Sequence, residues 1–312
     1  MALAAPLDRP IAVEETEVYS KNTVWRRFRR HKLALTGAIV LLFMIVVAIG
    51  APRFAPFDPN AIDQVHWQGN PVAPCFQDAA QCGGHALGLD ENGRDILSRL
   101  MFGARISLTV GVTAVIMELI IGTLLGALAG YYGGWIDYLL MRLTDVFLSI
   151  PLLPLLLVLT AIVAESSSKA ALGFGTIVLI IGGLSWPGVA RLVRASYLSL
   201  REREYTEAAR ALGNGDARII LRHLLPNAMA PIIVQATLDV ANVIILESTL
   251  SFLGFGIQPP TASWGNMLAN AEANLEVAWW AAVFPGLCIL VTVLAINYIG
   301  DGLRDALDPN MR

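Results

Sequence analysis

The chain is poor in charge, poor in lysine and has no phosphate-binding glycine loop. Asp, Glu, Lys and Arg make up 15% of its 312 residues, against about 25% in soluble domains. Hydrophobic residues make up 55%, and that balance places an integral membrane protein ahead of a soluble globule. The three lysines are Lys21, Lys32 and Lys169. None completes GxxxxGK[ST], which excludes ATP binding by that loop. A net charge of −3 with no basic domain argues against nucleic acid. HExxH and GxSxG are absent, and no His/Asp pair sits at helical spacing within an apolar run, which argues against a membrane-embedded enzyme. No internal repeat is visible, unlike the inverted halves of a proton-coupled secondary transporter.

What is present is a set of six apolar runs: Leu33–Ala51, Ile106–Tyr131, Val146–Ala164, Ala171–Ala190, Asn227–Leu246 and Ala278–Gly300. The first has 19 residues without a charge, enough at 1.5 Å per residue to cross a core of ~30 Å. It starts late for a cleavable signal and is followed by Pro-Arg-Phe rather than a small-x-small site. Six spans put both termini on one side. With the N-terminus inside, the inner segments carry 17 of the 22 basic residues, seven of them between Arg191 and Arg222. The positive-inside rule therefore predicts N-in, C-in. The expected organisation is a cytoplasmic segment 1–32, a first helix 33–51, an exported loop 52–104 and a five-helix core 105–312. Pro151 and Pro154 predict a local break in the hydrogen-bond ladder of the third span. Trp264, Trp279 and Trp280 read as an interfacial aromatic belt.

The exported loop contains Cys75 and Cys82, with six residues between them; Cys288 lies alone in the last run. An exported pair at this spacing favours a disulfide over two free thiols. His66 and His85 read as isolated, solvated loop residues, and no metal site is expected. Two ionisable residues lie deep in the runs, Glu118 in the second and Asp239 in the fifth, with Asn242 three residues on from Asp239 and on its face. An ionisable group at mid-span costs about 2.5–3.5 kcal/mol on insertion scales. Glu118, Asp239 and Asn242 are therefore candidates for a polar translocation wall. An interhelical hydrogen bond is the alternative, and the residues leave both open. Glu247 reads as interfacial.

Between the fourth and fifth runs stands EYTEAARALGNGDARIILRHLLPN, residues 204–227. Leu200–Leu212 reads as a helix with Tyr205, Ala208, Ala209 and Leu212 on one stripe. Gly213 ends it, Asp216 is placed to cap a second short helix over 217–225, and Pro226 opens the next span. Such an elbow could lie on anionic lipid through its arginines. It could equally dock a partner, because Ala208, Ala209 and Gly213 keep its surface low.

EAARALG, nine residues and then His223-Leu224-Leu225-Pro226 resembles the EAA signature of bacterial ATP-binding-cassette importer permeases, with His223 where Ile is usual. GLDENGRDILSRLMFGARISLTVG (88–111), LSFLGFGIQPPTASWGNML (250–268) and FPGLCILVTVLAINYIGDGLRDALDP (284–309) are similar to the second permease of the dipeptide/oligopeptide importers, the DppC/OppC-like type. The resemblance covers roughly 25–310. It implies an all-α type I importer permease in a bacterial inner membrane, carrying di- or oligopeptides, with glutathione and nickel chelates as alternatives. It also implies a homologous second permease, two ATPase subunits, a periplasmic solute-binding protein and surrounding lipid. This chain itself would bind no cofactor, and ATP and Mg would sit on the ATPases. Tyr205, Glu207, Ala208, Ala209, Gly213, Leu225 and Pro226 would form the ATPase-coupling loop within 200–226.

Overall fold

The computed structural model describes residues 21–80, 82–167 and 173–307. Most of the N-terminal segment, Lys169 and Arg312 lie outside the described residues. Among the described residues the chain is all-helical, with one isolated β-bridge between Leu89 and Asp95. The helices are α1 (Lys21–Arg30), α2 (Lys32–Phe54), α3 (Ile96–Tyr132), α4 (Gly134–Ser149), α5 (Leu152–Ser167), α6 (Phe174–Ser185) and α7 (Pro187–Leu200). They continue as α8 (Glu204–Ala211), α9 (Asp216–Arg218), a π-helical turn Ile219–Leu224, α10 (Leu225–Phe252), α11 (Trp264–Ala271) and α12 (Trp279–Leu307). Among the described residues, four stretches are long and apolar enough to cross a membrane: α2, α3, Asp216–Phe252 and α12. The count is six if α4–α5 and α6–α7 each make one span.

The third predicted run is not a single kinked helix. α4 and α5 meet at 83° across Ile150 and Pro151. Ile150 is extended, and Pro151 has no N–H to return to the preceding turn. Pro154 sits harmlessly in the first turn of α5. The fourth run also breaks, by 42° at Trp186–Pro187, a bend its apolar pattern did not signal.

α3 is the mast of the bundle and packs against α2, α6, α7 and α10. It begins ten residues before its apolar run because Asp95 caps it, accepting the Ser98 amide at 2.7 Å. Its far half approaches α7 through Gly122, Gly126 and Gly130. A Cβ on Gly122 would lie 2.9 Å from the Trp186 carbonyl, and one on Gly130 2.8 Å from the Arg194 carbonyl. At Gly126 it would collide with the Ala190 carbonyl. Small residues at such a spacing let backbones touch where side chains would hold them apart. Gly182 of α6 does the same against the Ala114 carbonyl, 2.6 Å from its would-be Cβ. Arg194 and Arg191 of α7 then pair with Asp137 and Asp145 of α4, joining the two broken helices.

The loop 55–95 covers one end of α3. Cys75 and Cys82 are joined by a disulfide with Cα atoms 4.9 Å apart. His85 is not solvated. It is 2% exposed, its Nδ1 lies 2.9 Å from Asp95 and its Nε2 3.0 Å from Asp63. His66 also reaches Asp63, at 2.8 Å. Buried Arg99 donates Nη1 to the Pro59 carbonyl at 3.1 Å and pairs with Asp90, which Arg94 also holds. Trp264 is no belt residue: it is fully buried and donates Nε1 to the Leu100 carbonyl at 3.1 Å. Trp280 is buried as well, and Trp279 alone of the three is exposed. Glu247, expected at an interface, is fully buried and takes hydrogen bonds from Ser251 at 2.7 Å and Ser107 at 3.2 Å.

Gly126→Val is expected to wedge α3 from α7 and cost roughly 1–3 kcal/mol, the usual range for overpacking. The melting transition of the detergent-purified chain reads this, and an unchanged transition would contradict the close-packed seam. Burial pushes the Asp63 carboxyl up, but hydrogen bonds from His85, His66 and the amides of His66 and Val65 outweigh it and hold the carboxyl well below the usual carboxylate range. A depressed folded-state pKa contributes stability that is complete above the unfolded value of about 3.9 and fades as pH falls below it. Amide-exchange protection across 57–95 is expected to hold at neutral pH and drop in acid. Asp63→Asn should lower it at neutral pH and flatten the acid dependence; protection that ignores both changes would count against this network.

Candidate functional site

The elbow between α7 and α10 is assembled by local backbone chemistry. Arg203 adopts an extended conformation and ends the run of helix from α7, so the expected continuous helix 200–212 is instead a turn followed by α8. Thr206 turns inward and donates its hydroxyl to the Leu200 carbonyl at 2.9 Å. Gly213 has φ +78°, the left-handed conformation expected of it. Its amide bonds the Arg210 carbonyl, and the Asn214 amide and side chain both bond the Ala209 carbonyl, at 3.2 and 3.0 Å. This six-to-one closure is how a helix ends on glycine. Asp216 is not a cap; Gly215 holds that place. The Asp216 carboxylate instead accepts the Tyr131 hydroxyl at 2.7 Å.

Three bonds fix the elbow to the bundle. They are Tyr131–Asp216, Tyr197 hydroxyl to the Ile220 carbonyl at 3.3 Å, and Arg201 Nη1 to the Gly130 carbonyl at 3.2 Å. Beneath them Tyr197, Ile219 and Leu224 are fully buried. The predicted apolar stripe divides. Ala209 faces inward, whereas Tyr205, Glu207, Ala208 and Leu212 are exposed, Leu212 by 83%. Leu225 is half-buried and Pro226 exposed at the base, where α10 begins. An exposed leucine beside small residues and a left-handed glycine presents a low apolar face that none of the described residues covers.

A second arrangement lies farther up the bundle. Glu118, Asp239 and Asn242 line one cavity of about 380 Å³. Both helix breaks open onto it, through Ile150–Pro151 on one side and Pro187 on another. Gln235, one turn before Asp239, donates Nε2 to Asp239 Oδ1 at 2.9 Å. Sequence reading passed over Gln235 and Ser185, which also line the cavity. The i, i+4, i+7 spacing of Gln235, Asp239 and Asn242 is the signal that could have found the first. Phe147 packs on Trp186, ring centroids 5.4 Å apart, where the two breaks meet. Among the described residues no group of three His, Cys, Asp or Glu side chains could hold a metal ion.

Comparison with known proteins agrees with this geometry. The family described as binding-protein-dependent transport system inner membrane component matches residues 122–312. The N-terminal transmembrane domain of oligopeptide transport permease C matches residues 22–71. The di/tripeptide transport system permease protein DppC of Pseudomonas aeruginosa is 42% identical over 92% of this chain and 91% of its own length. The dipeptide transport system permease protein DppC of Alkalihalophilus pseudofirmus is 40% identical over 98% and 95%. The glutathione transport system permease protein GsiD of Escherichia coli is 43% identical over 92% and 90%. Among solved structures, the MetNI methionine ABC transporter in inward-facing conformations superposes with a TM-score of 0.55 at 18% identity, covering 68% of this chain and 98% of that one, a likeness of fold. The chain is thus a multi-pass membrane protein and belongs to the family of binding-protein-dependent transport system inner membrane components.

Proposed function

We propose that this chain is the permease subunit of an ATP-binding-cassette importer for short peptides, seated in a bacterial inner membrane. It crosses six times, N-in and C-in, with α4–α5 and α6–α7 each as one broken span. The loop 55–95 faces the periplasm and the elbow the cytoplasm; the concentration of arginine between Arg191 and Arg222 supports that orientation. A homologous permease completes the pathway, two ATPase subunits carry ATP and Mg, and a periplasmic binding protein delivers the solute. The relatives named above carry di- and tripeptides or glutathione, so glutathione, itself a tripeptide, is the second reading of the cargo.

The observation that carries the proposal is the elbow: an exposed apolar face around Leu212 on a segment bonded to the end of α3 through Tyr131 and to the end of α7 through Tyr197. An ATPase that grips this face and closes on ATP would move α7, and the α7 backbone lies directly against α3. Polar Glu118, Asp239 and Asn242 then serve as a wall of the pathway that this movement opens and shuts.

Reporter domains test the topology. One fused after Leu307 should read cytoplasmic and one inserted near Asn70 periplasmic; a periplasmic C-terminus would remove one of the six crossings. Gly213→Val tests the coupling. Nothing lies within 4 Å of a Cβ at Gly213, so the penalty comes from φ +78° rather than from a clash. The strained turn should cost on the order of 1–2 kcal/mol and shift the docking face. The expected outcome is an assembled complex that hydrolyses ATP but takes up peptide at least about ten-fold more slowly, the equivalent of about 1.4 kcal/mol. Glu207→Ala should do less, since an exposed charge is worth about 0–1 kcal/mol. Normal uptake by an assembled Gly213→Val complex would reduce the elbow to a lipid-facing loop.

A further inference from the structure

The cavity between the two helix breaks gathers two carboxyl groups and has no cationic side chain in its wall. Glu118 is 4% exposed and Asp239 8%, so both residues are more than nine-tenths buried, and both line the cavity. Asp239 Oδ1 accepts the Gln235 amide, but Asp239 Oδ2 and Glu118 Oε2 have no hydrogen-bond donor. The two carboxyl groups stand beside each other. No Lys, Arg or His is among the residues that line the space. Buried carboxylates in this state are costly unless a positive group completes them.

We propose that this cavity binds the protonated amino terminus of a short peptide, with Glu118 and Asp239 as its anionic partners and the Asn242 amide oxygen as the third acceptor. The inference rests on the peptide-permease reading above and adds the part of the cargo that is recognised. An ammonium group has three N–H donors and no acceptor, which matches one open oxygen on each of the two carboxyl groups and one amide carbonyl. A metal ion fits poorly. The volume of about 380 Å³ falls in the range of small-molecule pockets, ~300–1,000 Å³. Most of the remaining wall is apolar, including Phe147, Leu148, Ile150 and Leu184. Such a wall suits a peptide side chain and would offer nothing to a hydrated cation. Asn242 is exposed and lines the same cavity as the two buried carboxyl groups, so an amine that reaches them enters first and the rest of the peptide stays outward. Recognition of this kind reads the end common to all peptides and leaves sequence choice to other components.

The test uses the assembled permease–ATPase complex in lipid nanodiscs, without solute-binding protein, and equilibrium dialysis of radiolabelled alanylalanine and N-acetyl-alanylalanine. Alanylalanine should bind saturably and the acetylated peptide at least about ten-fold more weakly. Glu118→Gln and Asp239→Asn should each weaken alanylalanine binding by about ten-fold or more and leave the acetylated peptide unchanged. Asn242→Asp adds a carboxylate at the exposed position and should strengthen alanylalanine binding by about three-fold, which keeps the test open if a buried variant fails to assemble. Equal binding of the two peptides, no saturable binding of alanylalanine, or displacement of alanylalanine by sodium or calcium alone would overturn the proposal. Proteoliposome uptake by the wild-type complex with its binding protein separates the two claims. If peptide is transported but the carboxylate variants bind it normally, the ammonium site fails alone; if no peptide is transported, the peptide-permease reading fails with it.

Discussion

The bundle depends on the close contact between α3 and α7. Gly122, Gly126 and Gly130 put the α3 main chain against the carbonyls of Trp186, Ala190 and Arg194 and the Cβ atoms of Val189, Val193 and Tyr197. In a membrane, lipid tails are as apolar as leucine, so such packing rather than hydrophobic transfer holds helices together. A seam this tight is not continuously deformable. α7 therefore cannot slide on α3 by small amounts, and the elbow hung from its end, bonded to Gly130 and Tyr131, moves with the pair.

From that seam the rest of the architecture follows. α7 is also paired to α4 through Arg194–Asp137 and Arg191–Asp145. The elbow-side halves of the two broken helices thus form one block with α3. Their other halves, α5 and α6, lie beyond the breaks at Pro151 and Pro187, where proline removes the hydrogen bond that would have stiffened the joint. The cavity sits at those joints. Ionisable side chains at this depth are costly, and the fold gathers Glu118 and Asp239 at the place where two helices can bend. At the opposite end of α3 the loop 55–95 is held rigid by His85 between Asp63 and Asp95, by the Cys75–Cys82 bridge and by buried Arg99.

Much of this was legible in the chain because it rests on local rules. The apolar runs marked the long helices, Gly213 marked the turn of the elbow, and the depth of Glu118, Asp239 and Asn242 in their runs singled out residues that share a cavity. What escaped is set by contacts between distant residues. His85 looked solitary because its partners Asp63 and Asp95 lie 22 and 10 residues away. Arg99 fell within the expected exported loop 52–104, yet it is buried within α3, the helix that Asp95 caps. Trp264 and Glu247 looked interfacial because composition does not tell a membrane boundary from a core; both are buried and hydrogen-bonded to Ser107 of α3. The bend at Trp186–Pro187 was missed because proline at the first position of a helix breaks no pattern of hydropathy.

Spin-label distances on the assembled complex, with and without ATP, test most directly whether motion passes from the elbow through the α3–α7 block to the cavity. One pair of labels belongs at exposed Ala211 and Tyr132, across the elbow and the end of α3. The other belongs at Ile150 and Ile245, across the α4–α5 break and α10, both exposed. The account predicts that the Ala211–Tyr132 distance stays constant while the Ile150–Ile245 distance shifts on ATP binding. An elbow that swings away from Tyr132 while the Ile150–Ile245 distance stays fixed would contradict it.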